Sequence, residues 1–214
     1  MKTKNGDDKY GRDDFIRKDL DYGIKGLQAG DIGLTDSIGG SFLDCLLRGA
    51  IKVLSADRQG TDGKAVVHHV FIYFGSGKHE IVEAQPTGIK RDKIETYLTD
   101  KSQFVIYRNT KLTVEQLKKI KDYVYGRVDK IKYGYTDLLK FVFPFIPSNK
   151  DTDFCSELGV NAYNKIGIKT SARPADETSP DDMYDFFNSR AGQRVGWICA
   201  DSFNIKRPRP TKYP

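Results

Sequence analysis

A cysteine, a histidine and a glutamate carry the chemistry that can be read from this chain. Cys155 lies in Asp153-Phe154-Cys155-Ser156-Glu157-Leu158. Asp153 is a favourable N-cap residue, and Cys155, Leu158 and Ala162 follow at helical spacing. This predicts a helix over 154–165 with the cysteine in its first turn. Backbone N–H groups there lack helical acceptors and, with the helix dipole, favour a thiolate. The same groups can hold an oxyanion. The competing reading of Cys155 is small apolar filler on a buried helix face.

The histidine and the glutamate come from a predicted hairpin. Val66 to Phe74 and Glu80 to Gln85 are rich in β-branched and aromatic residues, with Gly75-Ser76-Gly77 between them. A three-residue loop sets Phe74 against Lys78 and His69 directly opposite Glu83, with Cβ atoms about 5 Å apart. A carboxylate so placed orients the imidazole and stabilises its charged form, as the third member of a triad does. A loop one residue longer or shorter would put the two on opposite faces. The plain alternative is a cross-strand ion pair on a solvated face. His79 shares this face but lies about 13 Å along the strand from His69, too far for a joint role. His68 points to the other face. No His, Cys and Asp spacing resembles a zinc site, so neither a metal nor a cofactor is assigned.

The elements that must position these residues follow from periodicity and punctuation. A strand is expected at Asp31–Thr35 after the turn Ala29-Gly30, and another at Phe104–Tyr107. Phe42, Cys45, Leu46, Gly49 and Val53 recur at helical spacing, with Cys45 on the core side. Leu112–Gly126 reads as an amphipathic helix opened by a Thr113 and Gln116 capping box. A short helix near Asp181–Asn188 and a last strand near Val195–Cys199, on an apolar pattern, complete the set. The fold class is α+β, an antiparallel sheet packed against helices that include the cysteine helix. Residues 1–25 form a polar extension, 26–200 the domain, and 201–214 a basic, Pro-rich tail. The segment 56–64 is a Gly/Asp-rich loop.

Composition narrows the function classes. Apolar content of 38% with 30% charged residues describes a globular chain with a polar surface. No apolar run approaches the ~20 residues of a membrane span; the greasiest, 138–146, is broken by Lys140 and Pro144. The formal charge is +6, but Lys and Arg are dispersed among carboxylates and no nucleic-acid-binding motif is present. The N-terminus has no secretory pattern, and three widely spaced cysteines give no disulfide framework. The expectation is a cytoplasmic protein, or one released by lysis or carried in a virion.

Gly30-Asp31-Ile32, His69-Val70-Phe71-Ile72, Val82-Glu83-Ala84, Phe154-Cys155-Ser156-Glu157-Leu158 and Ser179-Pro180-Asp181-Asp182-Met183 occur in this order. Together they resemble the circularly permuted, YiiX-like branch of the NlpC-type cysteine peptidases, in which the histidine strand precedes the cysteine helix. The resemblance covers roughly residues 26–190. It implies a papain-like fold and a thiol hydrolase with Cys155 as nucleophile, His69 as base and Glu83 as orienting group. Tyr133 and Tyr135 stand where the family carries a tyrosine before the nucleophile, as candidate substrate-binding residues. Implied substrates are peptide stems of peptidoglycan, other amide or isopeptide bonds, or lipid esters, with a phage lysis system as one route of release. Two alternatives remain: a binding or structural protein on the same fold without turnover, and a lipid acyltransferase or phospholipase, to which the apolar 138–146 segment points. Two residues depart from the pattern. Phe71 replaces a small residue, which would narrow the cleft, and Gly159 replaces an aliphatic one.

Overall fold

Alternation of apolar side chains along the strands decides the layering of this α+β fold. The computed structural model describes residues 26–35, 67–75, 79–97, 104–134 and 152–203. The 1–25 extension, the helix expected over 42–53 with Cys45, the 56–64 loop, the 138–146 segment, Tyr135 and the tail from residue 204 lie outside the described residues. Six strands form one sheet: β1 (Ile32–Thr35), β2 (His69–Tyr73), β3 (Glu80–Gln85), β4 (Gly88–Lys93), β5 (Phe104–Asn109) and β8 (Trp197–Phe203). Their order is β4-β3-β2-β1-β5-β8, and every neighbouring pair is antiparallel. Two short strands, β6 (Lys132–Tyr133) and β7 (Thr152–Asp153), pair in parallel beside it.

Ile32 and Leu34, Val70 and Ile72, Val82 and Ala84, and Val105 and Tyr107 project from one face into the main core. Four helices contribute to the described fold: α1 (Val114–Tyr125), α2 (Cys155–Asn164), α3 (Pro180–Asn188) and the short α4 (Arg190–Arg194). Leu158, Ala162 and Tyr163 of α2, Met183, Phe186 and Phe187 of α3, and Ile120 and Val124 of α1 fill the helical side of that core. The opposite sheet face carries a second apolar cluster: Phe71, Tyr73, Ile81, Phe104 and Ile106, closed by Ile94 and Tyr97 from a 3-10 turn over Ile94–Tyr97. The capping box of α1 forms as expected, with Thr113 Oγ1 accepting from the Gln116 N–H and Gln116 Oε1 accepting from the Thr113 N–H.

The two residues that depart from the resembled pattern have steric surroundings of their own. Phe71 pairs with Gly33 of β1, and a Cβ on Gly33 would lie 2.0 Å from Phe71 Cζ. The ring therefore rests on the glycine backbone, with the bulk on one strand matched by a void on the next. Gly33→Ala should cost about 1–3 kcal/mol through overpacking. Denaturant melts would show it, and an unchanged midpoint would contradict the fit. Gly159 sits where α2 crosses β2: a Cβ there would be 3.4 Å from both Val70 Cγ1 and Met183 Cε. A branched residue would push the helix off the strand.

Several expectations need correction. The hairpin loop spans 75–79, not 75–77, because the Phe74 N–H bonds to the Glu80 carbonyl and the ladder sets Phe71 opposite Glu83. Gly75 and His79 both adopt positive φ, 71° and 53°, which turns the chain at the two ends of this longer loop. His79 is therefore a turn residue, with Nδ1 4.0 Å from Glu95 Oε1, and not a strand residue on the His69 face. The N-cap of α2 is Phe154, not Asp153. The last strand begins at Trp197 and continues to Phe203, and Cys199 on it is exposed.

Candidate active site

The first residue of β2 and the first residue of α2 meet. His69 Nε2 lies 2.5 Å from Glu83 Oε2, and Cys155 is near enough to act on the same imidazole through its charge and hydrogen bonding. With Nε2 engaged by the carboxylate, Nδ1 is the nitrogen that remains for the sulfur. All three groups are withdrawn from solvent: Cys155 and His69 are each 5% exposed and Glu83 is fully buried.

The meeting of His69 with Glu83 survives the shifted register. The true ladder places Glu83 two residues along from the expected partner, and a shift of two preserves the sheet face. The contact is diagonal, within reach of longer side chains. Alternation also separates the two adjacent histidines, so His69 alone joins Glu83 and Cys155. His68 is buried, and its N–H holds the Thr35 carbonyl.

Glu83 is held by more than the histidine. Tyr97 Oη donates to Oε2, and Gln85 Nε2 donates to Oε1 at 2.8 Å. Tyr97 also stacks on His69, with ring centroids 6.0 Å apart, and on Phe71 at 5.4 Å. Sequence reasoning missed both supporting residues. Gln85 was findable, because it lies two positions from Glu83 on one strand and so shares its face. Tyr97 sits in a turn with no periodic signal.

The electrostatics follow from these contacts. Burial acts to lower the His69 pKa, but the negative charge and hydrogen bond of Cys155, followed by the hydrogen bond and charge of Glu83, raise it to about 10. Burial acts to raise that of Glu83, yet the hydrogen bond and charge of His69 and the donors on Tyr97 and Gln85 hold it below the usual carboxylate range. The pair is thus an imidazolium and a carboxylate at neutral pH, set beside the Cys155 sulfur.

The mount of Cys155 is equally specific. Asp153, two residues before it, is buried, and its Oδ2 accepts from Arg127 Nε at 2.6 Å. That distant partner takes the carboxylate that local propensity would have used as a cap. Ser156 Oγ donates to the Thr178 carbonyl at 2.6 Å, tying the first turn of α2 to the chain that precedes α3. Ser179 and Asp182 then form a capping box with Pro180 in the first turn. The segment that closed the sequence resemblance is therefore a brace: Met183 packs near Gly159, and Asp181 Oδ1 accepts from the Val67 N–H, two residues before His69. Strand β6 sets the Tyr133 backbone beside Asp153. Tyr135 lies outside the described residues.

Among the described residues no group of three His, Cys, Asp or Glu side chains is arranged to hold a metal ion, and no helix is long and apolar enough to cross a membrane. No protein-family model matches the sequence, and no curated protein matches it.

Proposed function

We propose that the protein is a cysteine hydrolase that cleaves an amide or peptide bond, built on a circularly permuted papain-like fold of the NlpC type. The observation that carries this reading is one imidazole bonded to a buried carboxylate and set beside a cysteine at the first position of a helix. The Cys155 sulfur attacks the carbonyl carbon, forming the C–S bond as the carbonyl π electrons move to oxygen. The first-turn N–H groups of α2 receive that oxyanion. Collapse breaks the C–N bond, and the His69 imidazolium gives its proton to the departing amine. His69, now neutral, takes a proton from water as the water attacks the thioester. The acid leaves, and the thiolate and imidazolium are restored. Glu83 stays ionised throughout and keeps the ring oriented.

The sequence resemblance puts peptidoglycan stem peptides first among the substrates to test. The experiment is incubation of the protein and of Cys155→Ala with stem peptides, followed by mass spectrometry of products and of the intact protein. A peptide product together with a Cys155-linked acyl adduct supports the reading. Products that form equally with Cys155→Ala would exclude it. A second reading, a binding protein that keeps the fold without turnover, draws on the burial of the sulfur; it expects peptide retention with no product and no adduct.

A further inference from the structure

The carboxylate of the site makes a contact that orientation of the histidine alone does not require. Glu83 Oε2 accepts from both His69 and Tyr97, while Oε1 accepts from Gln85. Tyr97 is itself buried, and its ring lies nearly parallel to the His69 imidazole, at 26°. We infer that Tyr97 is a positioning residue of the Cys155–His69–Glu83 site: its hydroxyl keeps Glu83 ionised and its ring fixes the plane of His69. The inference rests on the hydrolase reading above.

The physical need is plain. A buried carboxylate beside an imidazolium can relieve its desolvation by taking the shared proton, and His69 would then lose the charge that protonates the leaving group. A second strong donor on the same oxygen stabilises the anion and opposes that transfer. Gln85 acts on the other oxygen. Tyr97 contacts both the carboxylate and the imidazole, through different parts of one side chain. Other charged groups nearby are accounted for. Lys90 stands opposite Glu83 in the β3–β4 ladder, but its ammonium pairs with Asp129 at 2.5 Å. Cys155 reaches the cluster from α2, and Asp92 of β4 acts on Tyr97.

The test reads the acid-side inflection of the His69 ring signals by NMR, where protonation of Glu83 is felt. Tyr97→Phe keeps the stacked ring and removes the donor, so this inflection should move upward by about one pH unit. Difluorotyrosine incorporated at position 97 is a stronger donor and should move it downward. A structural role alone gives no shifts of opposite sign. If neither variant moves the inflection, Tyr97 is packing and the inference falls. If Tyr97→Phe does not fold, the difluorotyrosine protein still decides: an unmoved inflection overturns the inference. Glu83→Gln is the control for assignment, and an acid inflection that persists in it removes both the triad and the role of Tyr97. Shifts as expected in a protein whose Cys155 is not alkylated by iodoacetamide would remove the hydrolase reading and leave the coupling of Tyr97 to Glu83 standing.

Discussion

Cys155→Ala should lower the proposed hydrolysis by on the order of 10⁵-fold or more, because removing the proposed nucleophile of a coupled catalytic unit eliminates the covalent pathway. The fold should persist. The change trades a small buried side chain for a smaller one, at a cost of about 1–2 kcal/mol. The Ser156 bond to Thr178 and the Asp153 pair with Arg127 still fix the start of α2. One further effect is specific to this site. The charge of Cys155 helps raise His69, so its titration midpoint should fall below about 10 in the variant. Activity assays, thermal melts and the His69 NMR titration check the three parts. Full activity in Cys155→Ala with loss in Cys199→Ala would assign the chemistry to the wrong sulfur.

Glu83→Leu is expected to be the most destabilising single change at the site. It leaves the donors of His69, Tyr97 and Gln85 facing an apolar group in a buried place, a loss of about 3–5 kcal/mol. Glu83→Gln keeps the shape and an acceptor but removes the charge, and the proposed activity should fall by on the order of 10³–10⁴-fold as the imidazolium loses its partner. The pH dependence has a definite direction. Glu83 is held below its ordinary range in the folded protein, so its contribution is present above the ordinary glutamate pKa and is lost as pH falls through the lowered value. His69 is raised from 6.5 to about 10, so its contribution is complete below 6.5 and is lost as pH climbs through about 10. Stability measured against pH should therefore decline at both ends in the natural protein. Glu83→Gln should lack the Glu83 part of the acid decline, and its alkaline decline should move to lower pH. A stability profile identical to the natural one would contradict the pairing.

The residues of the site were legible in the sequence because their positions depend on parity and on helix phase. The His69 and Glu83 faces survive the change from a three-residue to a five-residue loop, since an even shift preserves parity. Cys155 stays in the first turn of α2 whether the cap is Asp153 or Phe154. The cap itself was not legible, because Arg127, far away in the chain, takes the Asp153 carboxylate. Strand β4 carries one fully buried aliphatic residue, Ile89, amid charged ones, and pairs through its backbone at the sheet edge, so no periodic pattern announces it. Tyr97 follows that strand in a short 3-10 turn, and its contact with Glu83 exists only once the ladder has formed. The match between Phe71 and Gly33 likewise needs the β1–β2 register before either residue explains the other.

The most direct test of the central claim is competitive alkylation. Cys155 is buried and Cys199 is exposed, so access alone favours modification of Cys199. With limiting iodoacetamide at neutral pH, peptide mapping should find Cys155 modified before Cys199, and His69→Ala should abolish that preference. Modification of Cys199 first in the natural protein, or a Cys155 preference that persists in His69→Ala, would contradict an activated Cys155–His69–Glu83 site.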